Sequence, residues 1–158
     1  MDWTQFNNQK MLATYAELMA ELRSRGLVRS SNNPVADYTE TLVASSLGLD
    51  LVSQSTAGHD AVDPLTGVRY QIKGRRLTKQ NGSTQLGALR NLSSNPFEFL
   101  AAVVFNPDFS LGYAALIPLS VVQELSKYSK HTNSHVFHFK QTLLADPRIQ
   151  TITARLKS

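Results

Sequence analysis

Asp60, Gln71 and Lys73 are the residues in this chain whose types and spacing best suit metal-assisted chemistry on a phosphate ester. On a strand, alternate side chains face opposite ways. A strand over Val68–Leu77 therefore sets Val68, Tyr70, Ile72 and Gly74 on one face, built to pack, and Arg69, Gln71, Lys73 and Arg75 on the other. Cations in a row on a strand repel one another, so such a face points to an anionic ligand or to nearby carboxylates. Asp60 precedes this strand across the turn DPLTG. A hairpin of that length can bring Asp60 beside Gln71 and Lys73. A carboxylate and an amide oxygen make a hard-oxygen site that suits Mg²⁺ with several retained waters. Lys73 would then orient the attacking water or offset charge growing on phosphorus. Glu40, from an earlier helix, can add a carboxylate. Asp63 competes with Asp60 for the metal role, although Asp63-Pro64 also reads as turn chemistry, and Asp37 competes with Glu40.

The charge around this segment is one-sided. The whole chain is only mildly basic, at +4 over 158 residues. From Pro64 to Phe97, however, there is no Asp or Glu, while Arg69, Lys73, Arg75, Arg76, Lys79 and Arg90 all fall within it. Cations without acidic neighbours form the local field that phosphate backbones seek. Arg69, Arg75, Arg76, Lys79 and Arg90 are thus the candidate DNA contacts, against the plainer reading of a solvated surface face. His131, His135 and His138 suggest a metal, but a strand turns His135 and His138 to opposite faces, which argues against one shared ion. His59 sits beside Asp60, where a local hydrogen bond is its simplest role. There is no phosphate-binding glycine loop, dinucleotide fingerprint or nucleophile elbow.

The elements that must position these groups can be read from periodicity. Leu12, Tyr15, Leu18, Met19 and Leu22 recur at helical spacing within residues 3–25, and Gly26 supplies a stop. Asn33 can cap a second helix with Pro34 at its first position, running to Leu47 before Gly48. Strands are expected at 49–53, 59–62, 68–77, 99–105 (FLAAVVF, apolar enough to be buried on both faces) and 113–117. A helix from Pro118 to Lys127, a strand at 135–139, and one or two short helices over 141–156 complete the order. Residues 78–97 have no period, and a loop of that length in a compact domain is often functional. The order fits a single α/β domain, a mixed sheet flanked by helices.

Hydrophobic residues make up 42% of the chain, enough for a core and too many for a disordered segment. There is no cysteine, hence no disulfide framework and no thiolate metal site. The opening MDWTQFNNQK lacks the basic-then-apolar layout of a signal peptide, and no apolar run approaches the roughly 20 residues that span a bilayer. A cytoplasmic location without membrane contact is therefore expected.

The segment resembles the PD-(D/E)xK nuclease superfamily, of restriction-endonuclease-like fold. The pattern is an acid on an early helix (Glu40), an Asp at a strand start (Asp60), and a (D/E/Q)-x-K triplet on the next strand (Gln71-Ile72-Lys73). The resemblance covers about residues 35–117 and implies a mixed sheet of about four or five strands. It implies Asp60 and Gln71 as ligands of Mg²⁺ (or Mn²⁺), the Ile72 carbonyl as a further ligand, Lys73 as the catalytic lysine and Glu40 as a metal-bound or supporting acid. Residues 1–30 would then be an N-terminal helix, 35–117 the catalytic core and 118–158 C-terminal helices and a strand. The chain departs from the pattern twice: His59, not Pro, precedes Asp60, and Gln71 stands in place of an acid. The implied activity is metal-dependent cleavage of double-stranded DNA. Two strands need two cuts, so a C2 homodimer is also expected. A non-catalytic DNA-binding module on the same fold is the alternative.

Overall fold

A computed structural model describes residues 2–157. Asn7 accepts a hydrogen bond from the Lys10 N–H (2.8 Å) and starts helix α1 (Asn8–Ser24). The expected helix over 3–25 is therefore broken: Trp3–Gln5 form a separate 3₁₀ turn, because Asp2 and Asn7 each cap their own N-terminus. Helix α2 (Pro34–Leu47) begins and ends as expected, with the Asn33 side chain accepting from the Val35 N–H and Gly48 in the left-handed region at φ 70°.

The strands are β1 (Asp50–Leu51), β2 (Ala61–Val62), β3 (Arg69–Arg76), β4 (Phe99–Phe105), β5 (Leu111–Pro118), β6 (Lys127–Ser129), β7 (Ser134–Val136) and β8 (Gln150–Thr151), with helix α3 (Leu119–Leu125) after β5 and α4 (Thr153–Leu156) last. Six of the strands form one mixed sheet in the order β1-β2-β3-β4-β5-β8, and β6 and β7 pair as a separate ribbon. The sheet is larger than the four or five strands expected, since β8 is a two-residue edge pairing too short to leave a periodic trace, while the strand expected at 49–53 is present only as the two residues of β1. The tail also differs. Residues 141–156 hold a 3₁₀ turn, β8 and the single turn α4. Of the expected strand at 135–139, only His135 and Val136 pair with β6, although Phe137 and Phe139 are fully buried. α3 stops at Leu125, before the expected Lys127, because Lys127 is already the first residue of β6.

β3 and β4 run parallel, and this explains the aperiodic stretch. A parallel pair requires the chain to travel back along the whole sheet. Residues 77–98 make that return across one face, pinned by Leu86, Leu89, Leu92 and Phe97, all buried. Bridges from Gln85 to His138 and from Leu89 to His135 tie the crossing to the end of β7. The sheet is thus covered on both sides. Val43 and Ala44 of α2 and Leu156 of α4 pack on the face of Ile72, Ala101 and Val103. The crossing segment, α3 and Phe137 and Phe139 cover the face of Leu100, Ala102 and Val104. The polar face read for β3 is accordingly a second packed face, in which Gln71 is buried and Lys73 and Arg75 are half-buried. No described helix is long and apolar enough to cross a membrane.

Candidate active site

The site forms where β2 parts from β3. Ala61 pairs with Tyr70, and the Asp60 N–H donates to the Tyr70 carbonyl at 2.8 Å. One step further, the ladder changes hands. The Ile72 N–H donates to Asp60 Oδ2 (2.7 Å), and the Asp60 main-chain carbonyl takes the Val52 N–H instead (3.0 Å). The Asp60 side chain thus replaces its own backbone as partner of β3, and pairing with β2 stops there. Within a strand, the N–H and C=O of one residue point to the same side. The Ile72 carbonyl therefore faces the side that β2 has left.

Asp60 and Gln71 meet as their cross-strand positions suggest: Gln71 Nε2 donates to Asp60 Oδ2. Both protein hydrogen bonds to Asp60 fall on Oδ2, and among the described residues none reaches Oδ1. The Gln71 amide uses its nitrogen toward Asp60, so its oxygen is the atom left to accept. Lys73 follows Gln71 on the same face by strand alternation. Its ammonium makes no hydrogen bond or ion pair among the described residues, while its stem runs beside Gly87, whose added Cβ would lie 3.7 Å from Lys73 Cδ.

Glu40 reaches the site from the other side. Its neighbour Thr39 lies directly over Gly74, where an added Cβ would stand 1.9 Å from Thr39 Oγ1. This close approach of α2 to β3 requires a glycine. Glu40 is held by the Arg29 guanidinium. Burial pushes the Glu40 pKa up, and the negative charges of Asp60 and Asp37 push it further, against the opposing pull of Arg29. Glu40 and Asp60 thus share one electrostatic environment, although no hydrogen bond joins them.

Sequence reasoning missed Arg29. Its Nη1 donates to the Val52 carbonyl (3.1 Å), and its backbone N–H donates to Asp37 Oδ2 (2.9 Å), tying the α1–α2 connection to the chain just after β1. Asp37 is buried and also accepts from the Ser30 N–H (2.6 Å) and Gln54 Nε2 (3.5 Å). Burial raises its pKa, but these hydrogen bonds and the Arg29 charge outweigh burial and leave it below the usual carboxylate range. Nothing in the spacing of Arg29, Gln54 and Asp37 marks them as a unit, since they meet only in the fold. Asp37 is therefore a structural acceptor. Asp63 is taken up likewise: its Oδ1 accepts from the Leu65 and Thr66 N–H groups in the β2–β3 turn.

The candidate DNA contacts divide. Arg75 lies on the Lys73 face and donates through Nε to the Ser83 carbonyl (2.9 Å), and Lys79 and Arg90 are exposed. Arg69 is engaged by Glu98 (2.5 Å) and the Asn95 carbonyl (2.9 Å) at the opposite end of β3. Arg76 sits on the α2 face, its guanidinium 4.6 Å from the centre of the Phe109 ring.

Three oxygen donors therefore suit a hard divalent cation: Asp60 Oδ1, the Gln71 amide oxygen and the Ile72 carbonyl, with Glu40 nearby. Their chemistry fits Mg²⁺ or Mn²⁺, while a zinc-type cluster does not arise, as no three His, Asp or Glu groups among the described residues could hold one ion. A site of one carboxylate, one amide and one carbonyl would retain several waters. The sequence matches no family model and no curated protein.

Proposed function

We propose that this protein is a divalent-metal-dependent nuclease that hydrolyses phosphodiester bonds of double-stranded DNA, on a sheet related to the restriction-endonuclease-like fold. The observation that carries the reading is the handover at Asp60. Its carboxylate ends the β2–β3 ladder, takes the Gln71 and Ile72 N–H groups on one oxygen, and leaves the other without a donor among the described residues. Asp60, Gln71 and Ile72 would hold Mg²⁺ or Mn²⁺, which supplies a Lewis acid for the phosphoryl oxygen and lowers the pKa of a bound water. Lys73 is the group to orient that water and to offset charge on the reacting phosphorus. With no hydrogen-bond or ion-pair partner among the described residues, its ammonium is available. Glu40, its proton held more tightly than usual, is placed to accept a proton or assist metal binding once ionised. Arg75, Lys79 and Arg90 supply a cationic rim for the phosphate backbone.

One observation favours a second reading, a DNA-binding module without catalysis. Both acids already accept from protein donors through one oxygen each, Asp60 from Gln71 and Ile72 and Glu40 from Arg29. A supercoiled-plasmid assay with Mg²⁺ and Mn²⁺ separates the two. The nuclease nicks the plasmid, and Asp60→Asn and Lys73→Ala each lower the rate by at least about 100-fold while duplex binding persists. Wild-type protein that binds duplex DNA tightly yet never nicks it with either metal is the module.

A further inference from the structure

The chain carries a second stretch without acids. From Leu125 to Ala145 there is no Asp or Glu, while Lys127, Lys130, Lys140, His131, His135 and His138 fall within it. The acids that bound it, Glu124 and Asp146, are both engaged by Arg148, at 2.7 Å each. The fold gathers part of this stretch into one surface. Phe137 and Phe139 are fully buried, so strand alternation turns Val136, His138 and Lys140 outward. Cross-strand pairing sets Lys127 opposite Val136 on that same face. Lys127, His138 and Lys140 thereby rim a groove of about 480 Å³, floored by Leu125, Val136 and Leu143. All three rim residues are exposed, and their side chains have no hydrogen-bond or ion-pair partner among the described residues.

We propose that this groove holds the sugar-phosphate backbone of duplex DNA to one side of the bond that is cut. The groove rests on duplex DNA being the partner, as proposed above, and extends its path beyond the metal site. Continuity with that site carries the proposal. Lys73 lies against Gly87 of the crossing segment. On its other edge that segment pairs with the run after β6. The Leu86 N–H donates to the Phe137 carbonyl (2.9 Å), and the Phe139 N–H donates to the Thr84 carbonyl (3.1 Å). Leu89 and His135 exchange both bonds, at 3.2 and 2.7 Å. Residues 84–89 therefore run as a ladder beside 135–139, and β6 pairs along the far edge. Arg90 follows Leu89 directly, so the cations near Lys73 and those of the groove lie along one path. β6 stands two strand spacings, about 10 Å, beyond the crossing segment. A duplex centred on Lys73 must continue about three base pairs past that segment to enter the groove. The chemistry also fits a backbone. His138 and Lys140, two residues apart on an extended run, stand about 7 Å apart, which lets them meet neighbouring phosphates of one strand. The apolar floor is left to the uncharged sugar edges.

Fluorescence anisotropy of the full chain across a salt series tests it, with a hairpin-closed duplex of about half a helical turn and a duplex of about three turns. The half-turn duplex reads the cations around Lys73 alone. On the three-turn duplex, the slope of log K against log salt is expected to steepen by about two, as Lys127 and Lys140 each neutralise one further phosphate. Lys127→Ala with Lys140→Ala is expected to return the three-turn slope to the half-turn value and to leave half-turn binding as in wild type. Lys127→Arg with Lys140→Arg is expected to keep the steeper slope. Both lysines are exposed, so neither change disturbs the core. A wild-type slope that is the same on both duplexes, or a three-turn slope unchanged by the double alanine variant, overturns the groove and leaves DNA binding at the metal site intact. A wild type that binds neither duplex removes DNA as the partner and the groove with it.

Discussion

At the scale of single residues, the acids around Arg29 divide by the sign of their pKa shifts. Asp37 is held below the usual carboxylate range, so it binds its proton more weakly in the folded protein than in the unfolded chain. The stability that its ionisation adds is present above the unfolded value, near 3.9, and is lost as pH falls through the lower folded pKa. Asp37→Asn should therefore lower stability at pH 7 by about 1–3 kcal/mol, the range for disturbing a buried hydrogen-bonded acceptor. The gap should narrow in acid, as checked by urea unfolding at pH 7 and pH 3. Glu40 has the opposite sign. Its raised pKa contributes stability below the unfolded value that is lost as pH rises through the folded one. Its ionised form, which metal binding needs, consequently appears at higher pH than for an ordinary glutamate. Metal-dependent nicking should fall on the acid side above the normal Glu range, and Glu40→Gln should lower the rate while flattening that limb. An acid limb that survives Glu40→Gln unchanged would exclude Glu40 as its source.

At the scale of elements, the placement of Glu40 depends on α2 lying directly on β3. Thr39 Oγ1 fills the space above Gly74, and Thr39 also donates to the Val35 carbonyl at 2.5 Å, so it cannot easily turn aside. Gly74→Ala should cost about 1–3 kcal/mol by overpacking. Most of that loss should return in Gly74→Ala with Thr39→Ala, which vacates the same space. Thermal unfolding of the four chains in the cycle measures the coupling, and independent, additive losses would mean that α2 and β3 are not in this contact. β3 itself was legible from the sequence, because eight residues with period-two alternation and a bounding DPLTG turn leave a strong trace. α2 was legible for the same kind of reason, with Asn33, Pro34 and Gly48 marking both ends. β8 and the break at Phe6–Asn7 were not, and of the strand expected at 49–53 only Asp50–Leu51 forms. A two-residue strand exists only because a neighbour offers a ladder, and helix caps at Asp2 and Asn7 compete in a way that apolar spacing does not record.

At the scale of the whole molecule, the parallel β3–β4 pair decides how the cations are presented. It sends residues 77–98 back over the Lys73 face, so the segment that reads as a loose basic loop is an anchored cover with Leu86, Leu89 and Phe97 inside. The same long-range pairing places Glu98 beside Arg69, and the turn before β5 places Phe109 beneath Arg76. Partners that far apart in the chain are invisible to a count of charges along it, which is why six cations appeared equally available. Four remain once Arg69 and Arg76 are set aside: Lys73, Arg75, Lys79 and Arg90. The salt dependence of duplex binding should reflect those four. If each neutralises one phosphate, log K should fall with log salt at a slope of about −3 to −4. Arg90→Ala should make that slope shallower by about one, whereas Arg76→Ala should leave it unchanged. Fluorescence anisotropy with a short duplex across a salt series measures both slopes. A flat response would remove duplex DNA as the partner, and an equal change for Arg76→Ala would show that both faces of β3 bind it.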